Sequence, residues 1–391
     1  MKAKLLLFFF LLPCFSFSQG AWTEKSNFSG TARQNAVAFS IGSKGYIGTG
    51  SDGGYTGDFW EWDQAANTWT QKAGFSGTPR AQASGFSIGT KGYIGTGTNG
   101  TLMQDFWEYD PNTNAWIQKA NFLGGARRDA VSFSIGNKGY IGMGYDGTYL
   151  SDFWEYDPGT DTWTRKTDFI GTARHAAVCF SIGTKGYVGT GGGAVPTRNF
   201  FEWDQANNTW AQKTDFGGVA RFRAVGFSIG TKGYIGLGTD GNNANYKDFW
   251  EWDQANDTWT QKINFGGTAR SGAARFSIGK KGYIGTGYDS TNNFKKDFLE
   301  YDPAGTSINE FNNQINISVY PNPSAGKFTL TSKITKGEIS VYNVCGEKVY
   351  QSAIQQLTNS TIDLSNHLNG IYFLQIKTGQ GTAVKKLIIQ K

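Results

Sequence analysis

RQNAVAFSIGSKGYIGTGSDGGYTGDFWEWDQAANTWTQK, residues 33–72, is the stretch that decides the fold. It reads as four short strands: a (Asn35–Ile41), b (Gly45–Thr49), c (Phe59–Trp62) and d (Thr68–Lys72). Their β-branched and aromatic residues are separated by Gly and polar breaks, and no helical periodicity replaces them. The a–b link, Gly-x-Lys-Gly, is a tight turn in which Gly relieves the positive φ that a hairpin demands. The c–d link, Asp204 to Thr209 in its fourth occurrence, is a polar Asx-type turn.

Working outward, the same parts recur along the chain. A Trp followed by two residues and Lys stands at Trp22, Trp69, Trp116, Trp163, Trp210 and Trp259, spaced by 47, 47, 47, 47 and 49 residues. Between these anchors come an Arg (33, 80, 127, 174, 221, 270), a strand ending Phe-Ser-Ile-Gly, then Lys-Gly-Tyr-Ile-Gly-x-Gly with Val188 once for Ile. All 13 Trp fall inside the pattern. Four antiparallel strands repeating at this period make a propeller blade. The sixth unit, Arg270 to Asp302, lacks a Trp strand, while a spare one surrounds Trp22. Pairing the two closes six blades and removes the open sheet edges that invite aggregation. The expected fold is all-β: a six-bladed β-propeller followed by a small C-terminal β-sandwich. The 54 Gly and 15% aromatic residues agree with many short strands and turns.

Tyr46, the Gly48/Gly50 pair, Tyr109-Asp110, Trp116 and the Arg ahead of strand a resemble the kelch motif, from residue 21 to about 304, within an expected propeller domain of residues 19–304. The usual Gly-Gly doublet is replaced by Gly-Thr-Gly in four repeats, Gly-Met-Gly in one and Gly-Leu-Gly in one. On this reading the recurring aromatics are core. The recurring Arg is a blade-to-blade hydrogen-bonding residue. The six Lys at 44, 91, 138, 185, 232 and 281 form a solvated ring on the face of the tight turns.

The two ends of the chain differ from the repeat. Lys2 and Lys4 precede an apolar run, Leu5 to Leu12, with small residues at Ser16 and Ser18, so residues 1–18 read as a signal peptide cleaved after Ser18. Residues 305–314 read as a linker. Seven strand-like runs follow in 315–391. There, Tyr320-Pro321-Asn322-Pro323, Gly326 to Phe328, Gly346-Glu347-Lys348-Val349, Ile362-Asp363-Leu364, Gly370-Ile371-Tyr372 and the terminal Lys385-Lys386 to Lys391 resemble the type A sorting domain of the type IX secretion system of Bacteroidota. The resemblance implies Pro321, Asn322, Pro323, Gly370, Tyr372, Lys385 and Lys386 as sorting-signal residues and the type IX machinery as partner. It also implies a protein secreted or attached to the outer cell surface. No other segment is apolar enough to cross a membrane once the signal is removed.

Charge and motif inventory exclude several chemistries. The net +6 divides into +2 in the signal peptide, +5 in 315–391 and −1 between, so the propeller carries no electrostatic footprint for nucleic acid. Two His, His175 and His367, cannot build a His-rich zinc or copper centre. No Gly-x-Ser-x-Gly elbow and no strand–Gly loop–helix phosphate cradle is present. Cys14 leaves with the signal peptide, and Cys179 and Cys345 fall in different domains, so no disulfide framework is expected. Neither cofactor nor metal is expected. Asp-Gly or Asp-Ser pairs at 52, 146, 240 and 289 in the b–c loops are explained by turn chemistry before calcium.

What remains is the variation among otherwise identical repeats. The two residues after the Arg are Gln34-Asn35, Ala81-Gln82, Arg128-Asp129, His175-Ala176, Phe222-Arg223 and Ser271-Gly272. A small position in strand a reads Ala38, Gly85, Ser132, Cys179, Gly226 and then Arg275. Drift of unconstrained surface would explain these. The functional reading is a ligand pocket on the d–a/b–c loop face built from Gln34, Asn35, Gln82, Arg128, Asp129, His175, Phe222 and Arg223, with Arg275 in the channel. It suits a sugar or a carboxylated glycan. The expected role is binding of a glycan or another surface protein. The alternatives are a sugar-modifying enzyme of the sialic-acid-mutarotase kind, using Arg128, Asp129 and Arg223, and an inert structural surface component.

Overall fold

A computed structural model describes residues 20–242, 244–305, 317–332, 336–354, 358–378 and 381–391. The expected signal peptide, residues 1–18, and nearly all of the expected linker lie outside them. The chain divides into two compact units, residues 1–306 and 307–391. No helix occurs among the described residues.

The first unit is a ring of six four-stranded antiparallel sheets, one per repeat. In blade 1 the strands are a Val37–Ile41, b Lys44–Gly48, c Phe59–Asp63 and d Thr68–Gln71. Blade 6 holds a Ala274–Ile278, b Lys281–Gly285 and c Phe298–Asp302, and its fourth strand is Ala21–Lys25 from the start of the chain. The pairing sets Trp22 opposite Tyr301, as Trp116 stands opposite Tyr109 within blade 2. The ring is therefore closed in ordinary register.

Strand a begins two residues later than its sequence pattern indicates, at Val37 rather than Asn35, because Asn35 adopts a left-handed φ of 53°. Within strand a, Val37, Phe39 and Ile41 are buried while Ala38 and Ser40 face the central channel. Each Phe reaches into the next blade, where only a glycine leaves room. A Cβ on Gly139 would stand 2.2 Å from Cε2 of Phe86. The glycine of every Lys-Gly-Tyr segment is thus a socket for the neighbouring blade's ring.

The recurring Arg is wholly buried and works differently from expectation. Its guanidinium stays within its own blade: Arg33 donates to Thr49 O (2.9 Å) and forms a two-pronged pair with Asp58 (2.5 and 2.8 Å). The blade-to-blade bond belongs to its backbone carbonyl. Gly50 N–H donates to Arg80 O (2.7 Å), and the series runs round to Gly287 N–H on Arg33 O (2.6 Å). The six Lys of the tight turns are each paired with an Asp at the end of strand c, such as Lys44–Asp63 (2.5 Å) and Lys232–Asp253 (2.8 Å).

The second unit packs a three-stranded sheet (Ile317–Tyr320, Lys327–Ser332, Thr358–Asp363) and a four-stranded sheet (Gly337–Asn343, Lys348–Ile354, Gly370–Thr378, Gly381–Ile389) around Phe328, Leu330, Val341, Leu374 and Leu387. Asn322, one of the expected sorting-signal residues, has a structural role. Its amide donates to Lys386 O (2.7 Å) and accepts from Ile388 N–H (2.8 Å), so one side chain completes the edge of the last strand. Tyr372 is buried with its hydroxyl on Leu368 O (2.9 Å). Lys386 is exposed.

Candidate ligand-binding site

The residue two places after each buried Arg forms a belt at one mouth of the channel. Asn35 N–H donates to Gly272 O (2.8 Å), Gln82 to Asn35 O (3.1 Å), Asp129 to Gln82 O (3.0 Å), Ala176 to Asp129 O (3.0 Å), Arg223 to Ala176 O (2.9 Å) and Gly272 to Arg223 O (3.0 Å). Six backbone bonds thus run head to tail in a closed circle, an arrangement in which each bond polarises the next. All six residues have left-handed φ, from 51° to 62°. Only Gly272 is glycine, and there a Cβ would stand 2.6 Å from Asn35 Oδ1. Non-glycine residues held in this region cost on the order of 1 kcal/mol or more each, so the surrounding blades must impose the geometry.

The side chains of Asn35, Gln82, Asp129 and Arg223 line a cavity of about 80 Å³ in this mouth, floored by Ala36, Ala83, Ala130, Ala177, Ala224 and Ala273. Below the alanine collar lies a polar cavity of about 200 Å³, lined by the strand-a serines, Cys179 and Gly226. Arg275 borders both cavities. Burial pushes the Cys179 thiol up, with the Arg275 guanidinium and the Ser132 N–H offsetting part of that rise. In the mouth, Gln82 Nε2 donates to Asp129 Oδ2 (2.7 Å).

The other expected pocket residues lie one position outward along the chain. Gln34, Arg128, His175 and Phe222 each bridge to a b–c loop, at Ser51, Tyr145, Gly192 and Thr239. They belong to a collar around the mouth and do not line it. Arg128 stacks its guanidinium over Tyr145 (5.3 Å), and its buried Nε has no hydrogen-bond partner. His175 stacks on Tyr149 (5.3 Å, 23°) and lies 5.4 Å from Phe222, with Nδ1 3.0 Å from Gly192 O. Tyr145, Tyr149, His175 and Phe222 therefore form an aromatic strip across blades 3 to 5. The two tyrosines escaped the sequence reading. Extending the repeat comparison into the b–c loops, where Ser51, Thr98, Tyr145, Gly192, Thr239 and Tyr288 align, would have exposed them.

Electrostatically the mouth differs from the rest of the propeller. Among the described residues, the arginines in ion pairs are Arg33, Arg80, Arg127, Arg165, Arg198, Arg221 and Arg270. Arg223 and Arg275 have no such partner. They sit on blades 5 and 6, opposite the Gln82–Asp129 pair on blades 2 and 3. The b–c loop aspartates are occupied by turn bonds: Asp146 binds Thr148 N–H and Oγ1 (2.9 Å each), and Asp289 binds Thr291 and Lys295. No group of three or more metal-ligating side chains occurs among the described residues.

Comparison with known proteins agrees with both units. Residues 318–390 match the secretion system C-terminal sorting domain, and residues 139–169, from strand b of blade 3 onward, match the kelch motif. No curated protein matches the sequence. Among solved structures, that of YjhT superposes with a TM-score of 0.60 at 17% identity, covering 70% of this chain and 96% of the other, a likeness of fold. The sorting domain marks the protein for secretion by the type IX machinery and attachment to the cell surface.

Proposed function

We propose that this secreted, surface-attached kelch propeller is a binding module for a glycan ending in a carboxylated sugar, whose acid group enters the loop-face mouth. The observation that carries the reading is the pair of arginines, Arg223 and Arg275, that lack a carboxylate partner in a domain where most other arginines have one. A guanidinium recognises a carboxylate with two parallel donors. A cavity of about 80 Å³ suits an acid group and not a whole sugar ring. The ring would lie outside, against Tyr149, His175 and Phe222, with hydroxyls toward Asp129 and Asn35. Residues 1–18 serve as the signal peptide in this scheme.

Sugar-isomerising chemistry is the weaker reading, since it calls on Arg128, Asp129 and Arg223 together. Arg128 is turned onto Tyr145 instead. The test is a glycan array carrying matched acidic and neutral sugars, probed with the exported protein and with Arg223→Gly. Glycine accepts the left-handed φ of 51° at this position, so the variant removes charge without straining the belt. Retention on acidic glycans should fall at least tenfold. Equal retention by the variant, or preference for neutral sugars, refutes the proposal. NMR exchange between the anomers of a bound sugar would establish the enzymatic alternative.

A further inference from the structure

Blade 4 departs from its five siblings at the buried arginine. In the other blades the guanidinium meets an aspartate through both terminal nitrogens: Arg80–Asp105 at 2.5 and 2.6 Å, Arg221–Asp248 at 2.7 and 2.8 Å, Arg270–Asp297 at 2.6 Å twice. In four of them a Trp indole also donates to that carboxylate, as Trp107 does at 2.8 Å. Blade 4 carries Asn199 in place of the aspartate and Phe201 in place of the Trp. Both changes fall on one microenvironment: the carboxylate is gone, and so is the indole N–H that served it.

Arg174 is nevertheless as buried as the others, with no exposed surface. Its Nε and one terminal nitrogen bond Thr172 O and Thr190 O (3.0 Å each). The second terminal nitrogen has only Thr172 Oγ1 at 3.4 Å. Asp215, which accepts from the Asn199 amide at 3.4 Å, pairs with Arg198 at 3.6 Å and forms no ion pair with Arg174. Burial alone lowers the Arg174 pKa to about 10, still far above neutrality, so the group is a cation without a counter-charge. Removing one partner of a buried ion pair is strongly destabilising because the remaining charge stays uncompensated. Phe169 and Phe201, 4.7 and 5.6 Å from the guanidinium, offset part of this.

We infer that blade 4 holds a small monovalent anion, of the size and charge of a carboxylate or chloride, beside Arg174 where its siblings place the aspartate carboxylate. The aspartates of the sibling blades are 16–36% exposed, so that position opens to solvent and a free ion can reach it. Phe201 is smaller than the Trp it replaces and brings no N–H to that position. The bound ion would tie the d–a segment at Arg174 to the b–c loop ending at Asn199, restoring a clamp that the other blades make with an aspartate of their own. This site is independent of the mouth.

The experiment uses the full exported protein and bromide as the probe. Crystals soaked in bromide should show an anomalous peak within hydrogen-bonding distance of the Arg174 guanidinium and none at the equivalent place in other blades. In parallel, Tm is measured while sodium chloride replaces sodium gluconate at constant ionic strength. The wild type should gain Tm saturably, and Asn199→Asp, which supplies the carboxylate within the chain, should start higher and lose the chloride dependence. Bromide absent from Arg174, or an Asn199→Asp variant with the same chloride dependence as the wild type, overturns the inference. If Asn199→Asp fails to fold, the diffraction result on the wild type decides alone.

Discussion

The two ends of the propeller are built from the same six repeats yet treat charge in opposite ways. On the tight-turn face every repeated Lys is neutralised by its Asp, six times over. On the loop face the two residues after each buried Arg diverge, and Arg128 and Arg223 among them, with Arg275 in the channel, form no ion pair among the described residues. Uniform, paired charge belongs to architecture, because a ring of identical blades needs identical contacts. Variation concentrated at one mouth, on a backbone belt held in a costly left-handed conformation, is what a recognition surface on a rigid frame looks like.

The comparison is broken most severely by unpairing the frame. Asp105→Ala leaves Arg80 buried without its carboxylate and should cost about 3–5 kcal/mol of stability by denaturant unfolding. Asn199→Ala, at the same place in blade 4, removes no ion pair and should cost about 1 kcal/mol or less. Equal losses would mean that the Arg–Asp pair is not what distinguishes frame from variation.

A smaller effect tests the sockets between blades. Gly139→Ala sets a methyl 2.2 Å from the Phe86 ring and should destabilise by about 1–3 kcal/mol through overpacking. Gly54→Ala, in a b–c loop with no close neighbour but Asp52, should be near neutral, about 0.5 kcal/mol or less. A neutral Gly139→Ala in the same unfolding assay would show that the blades slide to accommodate it.

These contrasts also explain what could be read in the chain beforehand. Blade number, strand order and closure through Trp22 were legible because each rests on a repeated residue type. Sorting-domain strands were legible through separated motifs in order. The left-handed belt was not: of its six members only Gly272 advertises a positive φ, while Gln82, Ala176 and Arg223 adopt it because neighbouring blades hold their backbones there. The aspartate that pairs with the Arg in five of the six blades stands 25 or 27 residues downstream and is visible only once the b–c loop folds back. The division of the expected pocket into a mouth and an outer collar has the same origin. Adjacent residues such as Arg128 and Asp129 part company at the φ reversal.

The smallest expected effect sharpens the charge comparison itself. Lys185 and Lys232 hydrogen-bond Asp204 and Asp253 and hold both carboxyls down at about 2, below their ordinary value of about 3.8. A carboxyl whose pKa is depressed by folding stabilises the protein above its unfolded pKa, and that contribution disappears as pH falls through the folded value. Stability should therefore decline between about pH 4 and pH 2, followed as Tm against pH. Because water reaches these pairs and screens them, each contributes little to stability. Lys185→Met with Lys232→Met should accordingly leave Tm at pH 7 almost unchanged while flattening part of the acid decline. Arg223→Gly at the opposite mouth removes a cation with no acid partner and should leave the slope as it was. If instead the loop-face variant alters the acid decline and the turn-face pair does not, the assignment of paired charge to the frame and unpaired charge to recognition is reversed.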